Sequence, residues 1–418
     1  MKADIQLTKK AGSSKIFLLY IFGSSLALYP PLSQYSLPFI LFSFLAISIS
    51  VFYDIFFLNR AIPNSVLFKI VGALTFVYIV WLFIAVLHEN DLSYALQDSL
   101  GFIIYLFLMP IFFIFIYINK LNQEFADFIV NLSKFIAGIS LGVIVWYYLL
   151  FGNLQAESLV VINAFIKSIG LNWKVDNNAG FLGMYTYTAH ILLLGIGLVF
   201  FRSITLKKRS NLYLIFLFGF GVLADGHRAL VVSMLLLFVL LIPLIKQKLS
   251  VIKLISYTLV LAIPLLAICL VNFEWIQDRF NFTSSDVSTL ERLLQVPALI
   301  DKIAENPLFG NGFGAYANII RSIERPFSYE VDFLATIMKL GLIGSIIYFG
   351  SYIFMIIKAW RSASELGYIL FCVGISFFFY MGTNGNQAMS TDSSVFHMFL
   401  FILISLSVSP SNKLKRQS

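Results

Sequence analysis

The sequence predicts an all-α, polytopic membrane protein with about twelve transmembrane helices, and three observations carry that expectation. Of 418 residues, 59% are hydrophobic and only 12% charged, too few polar side chains to coat a water-soluble globule. The apolar residues come in uninterrupted runs of spanning length, without the alternation of barrel strands. In almost every short loop between those runs the basic residues fall on one side, the signature of a chain threaded back and forth through a bilayer.

Taken in order, Met1 to Lys15 is polar and carries four lysines. No small-residue cleavage site follows the first apolar run, which therefore reads as a retained helix and not a signal peptide. Apolar runs then occupy roughly 16–29, 36–58, 66–87, 99–118, 126–150, 183–202, 211–225, 228–245, 252–272, 331–358, 366–382 and 393–409. Placing the N-terminus in the cytoplasm puts Arg60, Lys120, Arg202, Lys207, Lys208, Arg209, Lys246, Lys248, Lys253, Lys358, Arg361 and the Lys413–Arg416 cluster on that side. Both termini are then cytoplasmic, and the acids Glu89, Asp91, Asp98, Glu157 and Asp176 lie opposite. The net charge of +8 is accounted for by this topology, with no nucleic acid needed as partner. Both cysteines, Cys269 and Cys372, sit in apolar runs and read as packed side chains, without a disulfide or metal role.

The whole chain, 1–418, reads as one integral membrane domain with two large outer loops, at 152–182 and 273–330. The first contains an apolar run, Leu159 to Ile169, then Asn172, Trp173, Asp176, Asn177 and Asn178. Two readings stand side by side: an interfacial helix with a plain loop, or part of a sugar-binding rim with Trp173 stacking on a pyranose.

Ionisable groups at the mouth of a membrane helix are expensive and point to function. Asp225, His227 and Arg228 crowd a short outer turn, where Asp225 and Arg228 either neutralise one another or leave the arginine for an anionic headgroup beside a helix start. Arg292 lies on an amphipathic segment whose Leu290, Leu293, Leu294 and Ala298 are expected to face the membrane domain, with Ser288 as N-cap and Glu291 completing a capping box. Pro307 ends that helix, and Gly310, Gly312 and Gly314 allow a tight turn. The chain re-enters the membrane through Tyr329, Glu330, Asp332 and Lys339, with Lys339 expected about 10 Å below Asp332 on one straight helix. The four histidines, His88, His190, His227 and His397, show no metal-ligand spacing, and no metal or other cofactor is expected. His190 reads either as a satisfied core histidine or as a cavity-lining one, and the run Thr383 to Gln387 with Asp392 as a polar outer loop.

The order of these features is similar to the O-antigen ligase and O-antigen polymerase superfamily: an arginine after a helix break, an arginine on an external helix, Asn306-Pro307-Leu308-Phe309-Gly310-Asn311-Gly312-Phe313-Gly314, an acidic pair, and Leu340-Gly341-Leu342-Ile343-Gly344. The resemblance covers Ala224 to Gly344 in motif. It implies a GT-C-like inner-membrane glycosyltransferase that acts on undecaprenyl-diphosphate-linked glycans at the periplasmic face. It further implies that Arg228 and Arg292 hold the lipid diphosphate. The ligases carry a His eleven residues before the first Gly of the downstream turn; here that position is Glu330, a departure that favours a polymerase.

Charge that develops on a leaving diphosphate needs fixed cations, and an acceptor hydroxyl needs a base. Glu330, partly desolvated, is expected to be that base, with Asp332 the second choice. His227, Lys339, Tyr329 and His190 are assigned to substrate binding. The expected function is polymerisation of lipid-linked repeat units of a surface polysaccharide, with a chain-length regulator and a flippase as partners. The rivals are a ligase that transfers the glycan to lipid A–core and a flippase for the same lipid-linked oligosaccharides.

Overall fold

Eleven of the twelve apolar runs are helices in a computed structural model, which describes residues 12–28, 37–62, 65–151, 156–168, 173–178, 181–186, 189–205, 212–225, 227–248, 287–320, 323–383 and 391–408. The run at 252–272, Cys269, most of the 273–330 loop's first half, and Asn384 to Gln387 lie outside the described residues. Among the described residues, six helices are long and apolar enough to cross a membrane. They are α2 (Leu37–Phe56), α3 (Val66–Leu87), α5 (Leu100–Ile118), α6 (Asn122–Phe151), α12 (Asp332–Trp360) and α13 (Glu365–Thr383). Shorter apolar helices are α1 (Ser13–Leu28), α8 (Ile191–Thr205), α9 (Leu212–Ala224), α10 (Arg228–Lys248) and α14 (Thr391–Val408). Three lie between them: α4 (Leu92–Asp98), α7 (Ala156–Ser168) and the external α11 (Val287–Glu305).

At one end of the bundle Asp54, buried, takes Lys15 and Arg60 at 3.5 Å each, and Arg60 also donates to the Ile118 carbonyl at 3.1 Å. The opposite end, called the loop face below, gathers the turns before α4, α10 and α12. In the centre, α5 contains a π turn over Ile104–Leu108 that directs Tyr105 to a hydrogen bond with His397 of α14, a buried histidine also packed on Tyr352 and Phe401.

Part of the first outer loop is not a plain loop. Lys174–Asn178 and Phe181–Tyr185 pair as an antiparallel hairpin, β1 and β2. Asn163 of α7 holds Val175 from both sides, accepting from its N–H at 2.7 Å and donating to its carbonyl at 2.8 Å. Trp173 is buried in a small core with Tyr147, Ile162, Val175 and Met184, so its ring is structural and not open to a sugar face. The hairpin also shortens the expected helix at 183–202, which begins at Ile191.

The largest departure from expectation is in α12, where Gly341 has φ 59° and ψ −174°. The break is a fold, not a bend: the rings of Phe333 and Phe349 are 5.0 Å apart, whereas a straight helix would separate those positions by about 24 Å. The first half, Asp332 to Leu340, therefore turns back alongside the second, and Phe333 reaches Phe378 of α13 at 5.3 Å.

Breaking a helix exposes carbonyls on one side and N–H groups on the other, which cannot be left unpaired away from water. The 306–314 loop supplies the partners. Asn311 and Gly312 donate to the Met338 and Lys339 carbonyls at 2.9 Å each, while the Pro307 and Leu308 carbonyls accept from Leu342 and Ile343 at 2.9 and 3.1 Å. A Cβ on Gly341 would lie 2.4 Å from the Gly310 nitrogen, and one on Gly310 would lie 2.3 Å from the Gly341 nitrogen. Both have positive φ, so glycine is required on each side of the contact.

Candidate functional site

The loop-and-break unit is fastened to the bundle by polar side chains that have no other exit. Trp81 of α3 donates to the Phe309 carbonyl at 2.7 Å, and Asn90 donates to those of Asn311 and Phe313 at 2.7 and 3.0 Å. Asn311 reaches the carbonyls of Lys302 and Met338, and Asn306 braces the Asn311 side chain at 2.9 Å. Asp98 accepts from Gly314 N at 2.9 Å through one oxygen and from Lys339 at 2.6 Å through the other.

That last contact places Lys339 in a buried structural ion pair with Asp98, the alternative to a role at the substrate. The lysine is 1% exposed, its ammonium belongs to Asp98, and it also lies 5.5 Å from the centre of the Phe327 ring. The assignment of Tyr329 to substrate is corrected. It is fully buried in the core between α11 and the first half of α12, and its hydroxyl oxygen accepts from Ala317 N at 2.6 Å. Burial pushes that hydroxyl above its ordinary pKa, so it stays a neutral strut. His190 does not line an open cavity: it is buried in the turn before α8, with Phe377 and Phe396 each 5.4 Å from its ring.

The external helix turns opposite faces from those expected. Leu290, Leu293 and Leu294 point outward, with Ile300 on the same side, while Gln295 and Leu299 are buried and Arg292 shares their face. The helix starts at Val287, which places Ser288 inside the first turn and not at the cap. In a membrane protein the apolar face of a helix has lipid as its natural neighbour and the polar face turns to protein, so an apolar stripe gives the reverse of its meaning in water.

That inner face holds Glu330 by both ends. Arg292 donates from Nε to the carboxylate at 2.8 Å, and Gln295 accepts from the Glu330 backbone N–H at 2.8 Å. Glu330 is 9% exposed and the arginine side chain 39%. The two terminal guanidinium nitrogens make no protein contact among the described residues. Asp332, which opens the folded-back half helix, is buried and lies within electrostatic reach of Tyr348 in the membrane domain, deeper than a helix mouth.

A second charged cluster stands at the start of α10. Asp225 is 1% exposed; one oxygen accepts from Thr186 N at 2.7 Å and the Thr186 hydroxyl at 3.3 Å, and the other meets Nδ1 of His227. Arg228 is the first residue of α10 and half-buried. α13 runs along α10, where Tyr368 and Cys372 both donate to the Leu240 carbonyl, and its Gly382 packs on Phe333.

Sequence reasoning names Arg228, His227, Arg292 and Glu330 as candidates but not Gln295, the anchoring contacts of Asp98, or Asp225 as the partner of His227. Asp98 had been counted among the outer-loop acids; its distance of 241 residues from Lys339 hides the pairing. The Asp225-x-His227 spacing was the available signal for the dyad. The chain matches no protein-family model, no curated protein and no solved structure.

Proposed function

We propose that the chain is a membrane glycosyltransferase of the bacterial inner membrane that joins undecaprenyl-diphosphate-linked oligosaccharide units into a surface polysaccharide at the periplasmic face. The observation that carries this reading is Arg292. Its guanidinium is fixed through Nε by a nearly buried carboxylate, and its terminal nitrogens are left for a ligand. A planar, always-charged fork held in this way suits a diphosphate, which needs oriented donors where negative charge collects on the departing oxygen. Arg228, at the N-terminal end of α10, supplies a second cation to the same face. The lipid bilayer holds the polyprenyl tail, and a chain-length regulator and a flippase are the natural partners of such an enzyme. The resemblance of the loop at 306–314 and of the turn at 340–344 to the O-antigen ligase and polymerase superfamily supports the same class.

A flippase is the second reading, and the folded-back half helix that opens with buried Asp332 favours it, since broken helices bearing buried charge are common in transporters. The deciding experiment uses purified protein with undecaprenyl-diphosphate repeat units and no nucleotide sugar. A ladder of longer lipid-linked glycans that Arg292→Ala abolishes supports the polymerase. Transfer only when lipid A–core is added makes the protein a ligase. Silence in both, with translocation of the lipid-linked unit in vesicles, makes it a flippase.

A further inference from the structure

Resting on the glycosyltransferase reading, we infer that His227, oriented by Asp225, takes the proton from the acceptor hydroxyl, and that Glu330 acts as the positioning residue for Arg292. The two clusters have the same construction, a nearly buried carboxylate behind a nitrogen base, but different members face outward. At the first, Glu330 is the inner partner and is engaged at its carboxylate by Arg292 and at its backbone by Gln295. Protonation of that carboxylate would weaken its ion pair, and with it the orientation of the arginine, at the moment the diphosphate needs it.

At the second cluster the outer member is a histidine. Asp225 accepts two bonds from Thr186 on one oxygen, which fixes the carboxylate against rotation, and presents the other oxygen to Nδ1 of His227. A carboxylate can only accept there, so the neutral form of the ring carries its proton on Nδ1 and its lone pair on Nε2. That is the tautomer a general base requires, selected by the same carboxylate–histidine logic that serves hydrolases. The histidine side chain is 24% exposed, enough for the ring edge to meet a substrate. Arg228 follows it directly, so base and anion clamp share one helix start.

The reaction so read joins two glycans. The acceptor oxygen forms a bond to the anomeric carbon of the donor while the bond from that carbon to the diphosphate oxygen breaks. The hydroxyl proton moves to Nε2 of His227, and the leaving oxygen takes the electron pair as undecaprenyl diphosphate, met by Arg292. No further reactant is needed.

The test measures initial rates of ladder formation by purified protein on undecaprenyl-diphosphate repeat units, with size-exclusion elution as the check on folding. His227→Ala is expected to lower kcat by about 100-fold or more with little change in donor KM, and added imidazole is expected to restore part of the rate. Asp225→Asn is expected to lower kcat in the wild-type background but to cost nothing further once His227 is alanine, a dependence that a purely structural aspartate would not show. Glu330→Gln is expected to raise donor KM about tenfold and to lower kcat less than about threefold. A collapse of kcat in Glu330→Gln with His227→Ala near wild type returns the base to Glu330 and overturns the inference while leaving the polymerase intact. A dead, correctly eluting His227→Ala that imidazole does not revive also overturns it. A wild-type protein that makes no ladder removes the glycosyltransferase reading itself.

Discussion

The break at Gly341 and the rim around Arg292 are built from the same kinds of residue, asparagine, acid, base and exposed backbone, at a similar density along the chain. At the break the anchoring polar groups turn to another part of the protein: Asp98 to Lys339 and Gly314, Asn311 to Lys302 and Met338, and Trp81 to Phe309. At the rim Arg292 is held through Nε alone by Glu330. The difference separates scaffold from site better than charge or polarity does. A group whose whole bonding capacity is consumed internally holds shape, and one oriented but unsaturated is prepared for a ligand.

That contrast can be broken or sharpened by substitution. The largest loss of stability is expected at the buried pair: Lys339→Met or Asp98→Ala alone should cost about 3–5 kcal/mol by stranding a charge, and the double replacement Asp98→Leu with Lys339→Met should recover much of it. Thermal unfolding in detergent measures both, and a single variant as stable as wild type would remove the scaffold assignment. Next comes Gly341→Ala, expected to cost about 3 kcal/mol or more, because strain at positive φ adds to an overlap with backbone that cannot yield. Asn311→Ala should follow at about 1–3 kcal/mol, from the Lys302 and Met338 carbonyls it leaves unpaired. The smallest stability effect belongs to Arg292→Ala, under about 1 kcal/mol since its side chain is partly solvated, while ladder formation is lost. Comparable stability losses at Arg292 and Asn311 would erase the distinction between the two regions.

The bundle was legible in the sequence because hydropathy alone marks spans, and the described helices follow the apolar runs to within a few residues in most cases. The site was half legible. Arg228, Arg292 and Glu330 stand out as charges near helix mouths, but the pairings do not, since Arg292 with Glu330, Asp225 with Thr186 and Asp98 with Lys339 pair across 38, 39 and 241 residues. The glycine run at 310–314 announced a tight turn without showing what lay against it, because its complement is the backbone of Gly341. The fold in α12 was invisible for a related reason: Leu340-Gly341-Leu342 reads as apolar helix, and the break is stable only where the 306–314 loop caps it. The orientation of α11 was misread because an apolar stripe signifies core in water and lipid in a membrane.

The reach of the contacts around that loop sets an order of assembly during synthesis. Phe309 meets Trp81 across 228 residues, and Lys339 meets Asp98 across 241. A nascent chain has already placed Trp81, Asn90 and Asp98 when the loop emerges, but the carbonyls and N–H groups that the loop caps arrive only with residues 338–343. Until then Asp98 is without its lysine, and when Lys339 comes its charge is neutralised by a partner made long before. The early helices are therefore a template for the late ones, and a chain stopped before Ile343 would leave that template exposed as a target for the membrane's quality-control proteases.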